Sequence, residues 1–362
     1  MTPGSRPTSD DVRRWVSEDF GVHAVVVDEV TGGTDTSAAV WRVIDGEGTA
    51  WAAKWTTRPS RTGTRLVSSM AAAGLEGTPG TRTTADGRRR SRRAGGKLAL
   101  TRWSDGEDAA TVGLGLEAWR AYGALLADVH AHAFPVPPRR QGARRGIRRR
   151  RRRYRAEIRA LDAAADLAGR SAVADADADA DAGAAAGAAQ ATAAAAARSA
   201  DPVLDLWRDA RDRVDLLLRG TRLEPGAAGD PVPCHGDPHL GNVLVESDGS
   251  LRLVDWDEAV VGPREIDLHL VEFSVLFTPA TPEQLAAFRA GYGPVELDER
   301  RLVRYACIRA LEDLTSTMTA ALTSTGADRD EALRVVTGIL APAGSASLVE
   351  PRLRQALDLQ GI

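Results

Sequence analysis

Apolar and polar positions alternate over three early stretches, VHAVVVDEV, AAVWRVI and TAWAAKW, which are separated by TGGTD and by DGEG. Period-two alternation of β-branched and aromatic residues, joined by short Gly-containing connections, predicts three strands of an antiparallel sheet. KLALTRW, Lys97 to Trp103, predicts a further strand, and Arg61 to Ala73 a short helix. Between them, TPGTRTTADGRRRSRRAGG is turn-like and basic. From Leu114 the period changes. Leu116, Trp119, Tyr122, Leu126 and Val129 recur three or four apart, one face of a helix that stops at FPVPP.

Periodicity is then lost. Arg139 to Arg155 holds eleven arginines and no acid, and Ala174 to Ala197 is an Asp-Ala repeat followed by an Ala-Gly tract. Asp201 as N-cap and Pro202 at the first helical position restart a helix with Val203, Trp207, Ala210, Val214 and Leu217 on one face. Further helices are expected near Glu265 to Phe277, Pro282 to Ala290, Asp298 to Leu322 and Asp330 to Leu340. The outline is an α+β protein. A small strand-rich lobe over 1–103 precedes a larger helical lobe over 104–362, which carries a low-complexity insertion at about 139–200.

Composition narrows the class. The chain has 362 residues, 43% hydrophobic and 27% charged, with a formal net charge of −3, which excludes fibrous and disulfide-scaffold proteins. Cys234 and Cys307 form no disulfide framework and no metal-ligand spacing, so a reducing, cytoplasmic setting is expected. No membrane association is expected either. The opening MTPGSRPTSDDVRRW lacks an apolar core, and Gly183 to Ala197 is nearly all Ala with Gly breaks. The arginine block has one interleaved aromatic, Tyr154, and acidic sequence soon after, so it reads as a solvated or partly helical insertion rather than a nucleic-acid site.

The densest polar cluster is PCHGDPHLGNVLVESDGSLRLVDWDEAVVGPREIDL, Pro233 to Leu268. VLVE and LRLVD form a hairpin around SDGS, so Asn242, just before the first strand, and Asp255, just after the second, stand side by side at the open end. Asp237, five residues before Asn242 in a Gly- and Pro-containing loop, folds over the same spot. A carboxylate able to accept a proton, beside a carboxylate and an amide oxygen suited to a hard cation, is what Mg-assisted phosphoryl transfer requires.

HGDPHLGN, LVDWDEA and GPREIDL together resemble the aminoglycoside phosphotransferase family, small-molecule kinases with a protein-kinase-like fold. DWDEAVVGPREIDL, with GYG at Gly291 to Gly293 and RALEDL at Arg309 to Leu314, is most similar to the spectinomycin phosphotransferase branch. The resemblance is strong from Pro233 to Leu268, fair to about Leu322 and topological in the N-terminal lobe. It implies Asp237 as catalytic base, Asn242 and Asp255 as Mg2+ ligands, ATP as donor and a small-molecule acceptor. Asp257 and His239 would support them. His235 and Asp267 read as braces of the loop rather than as proton carriers or ligands.

In the N-terminal lobe the family places a Gly-containing loop over the ATP phosphates and a strand lysine that holds them. TGGTDTSAAVWRV fits the loop, with Gly32, Gly33 and Thr34 offering backbone N–H groups to an anion. Lys54 fits the lysine, a flexible point charge. The strand from Leu98 to Trp103 would run into the hinge that binds adenine.

Composition supports two of these residues. The chain has only two lysines, Lys54 and Lys97, and a single asparagine, Asn242. An average chain of this length holds about twenty lysines. Lys97 follows a Gly-Gly turn and reads as solvated.

One departure stands out. Family members pair the strand lysine with a carboxylate on the next helix, yet RTGTRLVSSMAAAG contains none. Glu76 in the following turn or a more distant acid supplies the partner, or Lys54 has none.

The expected activity is ATP-dependent O-phosphorylation of an aminoglycoside or aminocyclitol; Glu272, Glu312 and Asp313 could meet a cationic acceptor but read first as an ordinary solvated helix face. The alternatives are a kinase of choline, a sugar or homoserine, and a nucleotide-binding module without catalysis.

Overall fold

The computed structural model describes residues 6–30, 37–57, 62–134, 149–168, 201–227, 229–273 and 279–361. They divide into two compact units: Met1–Pro138 with Gly229–Val271 and Ala280–Glu296, and Arg139–Ala228 with Glu272–Pro279 and Leu297–Ile362. The segment carrying HGDPHLGN and DWDEA therefore belongs to the same unit as the N-terminal strands.

The first unit opens with α1, Ser9–Phe20, which begins in a Thr8/Asp11 capping box and ends at Gly21 in the left-handed region. Its apolar face, Val12, Trp15, Val16 and Phe20, is buried in one cluster with Trp41, Val43, Ala53, Trp55, Leu98 and Leu100 of the sheet. The sheet is antiparallel, built on β1 (Ala24–Val30), β2 (Ala38–Asp45), β3 (Ala50–Thr56) and β6 (Gly96–Arg102), with short β4 (Thr81–Arg82) and β5 (Ser91–Arg93) pairing β6. The strands and the helix α2, Thr62–Ala72, fall where the alternation places them.

Alternation also aims Lys54. Ala53 and Trp55 point into the α1 core, so Lys54 projects from the opposite face, flanked in register by Val40 of β2 and Ala99 of β6. After β7 (Glu107–Asp108) and α3 (Ala109–Val112) comes α4, Leu116–Ala131, with Trp119, Tyr122, Leu126 and Val129 buried. Leu116, at its first turn, is exposed.

In the second unit, residues 149–168 form α5, and Tyr154, Ile158, Leu161 and Ala165 are buried along one of its faces. Part of the arginine-rich stretch is thus an amphipathic helix. α6, Pro202–Gly220, starts at the Asp201 cap with Pro at its first position.

Back in the first unit, β8 (Val232–Cys234) pairs β11 (Val260–Gly262), and β9 (Val243–Val245) pairs β10 (Leu251–Leu253) as the expected hairpin. α7, Glu265–Phe273, spans the boundary between units, and α8 is Pro282–Tyr292. The second unit ends with α9 (Glu299–Thr323), α10 (Gly326–Leu340), α11 (Ser345–Leu348) and α12 (Glu350–Asp358). Gly326–Asp358 is apolar and long enough to cross a membrane by length and composition alone. It is nevertheless three helices interrupted at 341–344, with Val336, Ile339 and Leu353 buried.

Candidate active site

The loop from β8 to β9 carries Asp237 and is held from beneath by Asp267. Asp267 is fully buried at the start of α7, where its Oδ2 accepts from His235 N–H at 2.8 Å and its Oδ1 from Gly236 N–H at 2.7 Å. His130 Nε2 of α4 lies 2.9 Å from Oδ2. Burial alone would raise this carboxyl's pKa; the hydrogen bond and charge of His130, with the backbone donors, outweigh it and hold it below its ordinary value. The Asp267 brace is thus one carboxylate serving two elements.

Gly236 makes the loop possible. Its φ of +90° is left-handed, and a Cβ there would stand 2.2 Å from Glu258 O. His235 beside it is buried, with Nε2 2.8 Å from Val254 O and Nδ1 3.3 Å from Asp237 N–H. A carbonyl requires a donor and an amide an acceptor, so the ring is the neutral Nε2–H tautomer. Burial disfavours its charged form and lowers its pKa. Tyr122, buried on α4, donates to Pro238 O and ties down the next residue of the loop.

Asn242 ends the single 3-10 turn Leu240–Asn242. Its Nδ2 donates to Asp237 O at 2.8 Å and lies 3.2 Å from His239 Nε2. The nitrogen is thereby committed to the loop, which leaves the carbonyl oxygen Oδ1 as the atom available to a ligand. Val254 N–H donates to Asn242 O at 2.9 Å, so the hairpin brings Asn242 beside the residue before Asp255. Asp255 has φ +59°, left-handed, which Asp tolerates better than most side chains.

Asp255 meets Lys54. Lys54 Nζ lies 2.6 Å from Asp255 Oδ1 and 3.0 Å from Asp257 Oδ2. Burial opposes the ammonium, but the two carboxylates prevail and raise its pKa above the ordinary lysine value. Asp255, where burial and Lys54 act in opposite directions, is held below its ordinary value. The partner of Lys54 is therefore the more distant pair Asp255 and Asp257, while Glu76 lies exposed in the turn after α2.

Asp237, Asn242, Asp255 and Lys54 thus share one unit, linked by short hydrogen bonds and ion pairs. Asn242 Oδ1 and the Asp255 carboxylate are hard oxygen donors of the kind Mg2+ takes, so the donor set fits that cation. His239 Nε2 lies 3.8 Å from Asp237 Oδ2. Gly32, Gly33 and Thr34 lie outside the described residues.

The acids weighed against a cationic acceptor, and read first as a solvated helix face, are engaged within the second unit. Glu272 pairs with Arg352, Glu312 with Arg150 and Arg153, and Asp313 with Arg309.

Sequence reading had no hold on His130 and Tyr292. His130 Nδ1 lies 2.6 Å from Tyr292 OH, so a chain of contacts runs from α8 through His130 to Asp267 and the loop. α4 and α8 approach closely because both present glycine. A Cβ on Gly123 would stand 2.0 Å from Phe288 O, and one on Gly291 1.9 Å from Arg120 O. The GYG motif supplies the gap and the hydroxyl together.

Solved structures share this fold. Spectinomycin phosphotransferase, APH(9)-Ia, in complex with ADP and spectinomycin aligns at TM-score 0.74 and 16% identity, over 96% of this chain and 99% of that one. Amicoumacin kinase hAmiN with AMP-PNP, Ca2+ and Ami aligns at 0.54 and 14%, over 93% and 95%. Plasmodium vivax ethanolamine kinase aligns at 0.53 and 11%, over 98% and 93%. The fold is thus kinase-like, of the kind found in small-molecule kinases. The family model of the phosphotransferase enzyme family matches residues 33–306, and the chain belongs to that family. It is a phosphotransferase. No curated protein matches the sequence.

Proposed function

We propose that the protein transfers the γ-phosphoryl group of ATP to a hydroxyl of a small amine-bearing molecule, an aminoglycoside or aminocyclitol, as an antibiotic-modifying enzyme of the cytoplasm. The observation that carries this reading is the frame joining Asp237 to Asn242 at 2.8 Å and Asp255 to Lys54 at 2.6 Å. Asp237 orients the acceptor hydroxyl and takes its proton as the oxygen bonds to phosphorus and ADP leaves. Lys54, kept charged by its carboxylates, steadies the ATP phosphates. Asn242 Oδ1 and Asp255 hold Mg2+, which when bound neutralises charge on the phosphate oxygens. Gly32, Gly33 and Thr34, outside the described residues, remain the proposed contacts of the phosphates. Asp267, His130, His235 and Tyr122 fix the loop so that Asp237 is aimed before the acceptor arrives.

A second reading keeps the chemistry and changes the acceptor to a metabolite such as choline or a sugar. For an uncharged acceptor such as a sugar it is favoured by the arginine partners of Glu272, Glu312 and Asp313, since acids already paired offer less to any cation, choline included. ATP consumption across aminoglycosides, aminocyclitols, choline and sugars tests the proposal, with Asp237→Asn as control. Protection of a susceptible host against one of the antibiotics separates the two acceptor classes. Transfer to choline or a sugar alone would replace the first reading by the second.

A further inference from the structure

We propose that Asp257 performs the task of the missing helix carboxylate: it holds Lys54 when Asp255 is given over to a cation. The inference rests on the phosphotransfer reading above and deepens it. α2 contains no acid from Thr62 to Ala72, so the helix that follows the lysine strand has nothing with which to hold an ammonium. Lys54 Nζ instead contacts two carboxylates on one short segment, Asp255 at 2.6 Å and Asp257 at 3.0 Å. A lysine ammonium has three donors and can serve both. Asp255 cannot serve both Lys54 and a dication with undiminished strength, because the cation competes for the same oxygens.

The two acids differ in surroundings. The Asp255 side chain is 44% exposed, whereas those of Asp257 and Lys54 are each 21% exposed. Asp257 sits in the turn Trp256–Glu258, and that turn packs directly on α2. The turn is fixed on its other side as well. Trp256 is buried, its Nε1 donates to Leu253 O at 2.9 Å and its ring lies 4.4 Å from that of His235. Glu258 O lies against Gly236 of the catalytic loop. The carboxylate beside Lys54 thus stands on the turn that packs against α2 and not on α2 itself. In protein kinases the helix position controls the lysine pair. Here the lysine's hold is built into the segment that carries the cation ligand, so the pair forms with the fold and needs no helix movement.

The scarcity of lysine gives a direct test. With only Lys54 and Lys97 in the chain, amine acylation followed by mass spectrometry reads each lysine separately, with Lys97 as internal reference. The full-length protein without nucleotide is compared as wild type, Asp255→Asn, Asp257→Asn and the double variant, in EDTA and in Mg2+. Asn accepts the left-handed backbone at position 255, and thermal melts confirm folding. Asp255→Asn should leave Lys54 protected, as should Mg2+ in the wild type. Asp257→Asn in Mg2+, and the double variant in either medium, should label Lys54 about tenfold faster, the loss of an adjacent opposite charge that favours the ammonium. If Asp255→Asn alone exposes Lys54 as fully as the double variant, or Mg2+ exposes it in the wild type, the inference is overturned. Should Asp257→Asn not fold, Asp257→Glu keeps the charge, and failure to protect Lys54 in Mg2+ in that variant also overturns it. Phosphate transfer by Asp237→Asn reports on the functional reading separately.

Discussion

His130 and Asp267, 137 positions apart in sequence, meet with Nε2 and Oδ2 2.9 Å apart, and both side chains are buried. Asp267 accepts from two successive backbone N–H groups of the catalytic loop while His130 reaches Tyr292. Removing the carboxylate leaves both backbone donors and His130 without an acceptor in a buried site. Asp267→Ala should therefore destabilise the protein by about 3–5 kcal/mol, since each buried donor left unsatisfied costs about 1–3 kcal/mol. Denaturant unfolding measures this, and a loss under about 1 kcal/mol would show that the brace carries little.

Tyr292→Phe removes one hydroxyl from the same chain of contacts and leaves the ring. The expected cost is about 1 kcal/mol of stability, with kcat falling more than the KM for either substrate, since the contact acts on the aim of Asp237. An effect confined to the acceptor KM would place Tyr292 in substrate binding instead.

Acid should weaken the fold in two stages. Burial holds His235 below its ordinary 6.5, so the unfolded chain takes up this proton at higher pH than the folded one. Stability is complete above about 6.5 and falls as pH drops below it. Asp267 is held below its ordinary 3.8, so its contribution is present above that value and is lost as pH falls through the lower folded one. Melting temperature against pH should show both declines in the wild type, and His235→Gln should lack the upper one. An unchanged upper decline in that variant would assign it to another group.

Much of this site was legible because it is local. Asn242 and Asp255 flank a hairpin whose turn and strands lie within fourteen residues, so antiparallel pairing alone brings them together. Alternation likewise placed Lys54 on a sheet face. Its partners were not legible, because the contact with Asp255 spans 201 positions and depends on how the hairpin meets the sheet. The same holds for Tyr292 and His130, 162 apart.

α1 was not foreseen, and α5 only as a partly helical insertion, for a different reason. Val12, Trp15, Val16 and Phe20 recur at helical spacing behind a Thr8 cap, a signal present in the sequence but obscured by the charged residues between them. In α5, Tyr154, Ile158, Leu161 and Ala165 keep helical spacing beneath a run of arginines whose composition dominates the stretch.

Gly236→Ala tests the loop's backbone. A methyl group there meets Glu258 O at 2.2 Å in a left-handed conformation, so the loop must shift. The expected result is a loss of about 1–3 kcal/mol in stability and a fall in kcat. Wild-type stability and turnover would mean that the loop tolerates a shift the structure forbids.

The central claim is that Asp237 receives the proton of an acceptor hydroxyl as phosphate passes from ATP. Its most direct test is phosphate transfer from radiolabelled ATP to an acceptor panel, measured for the wild type and Asp237→Asn at matched Mg2+. The wild type should phosphorylate an aminoglycoside or aminocyclitol, and Asp237→Asn should lower kcat by about 10²–10⁴-fold with little change in ATP binding. Turnover that survives the substitution would contradict the account.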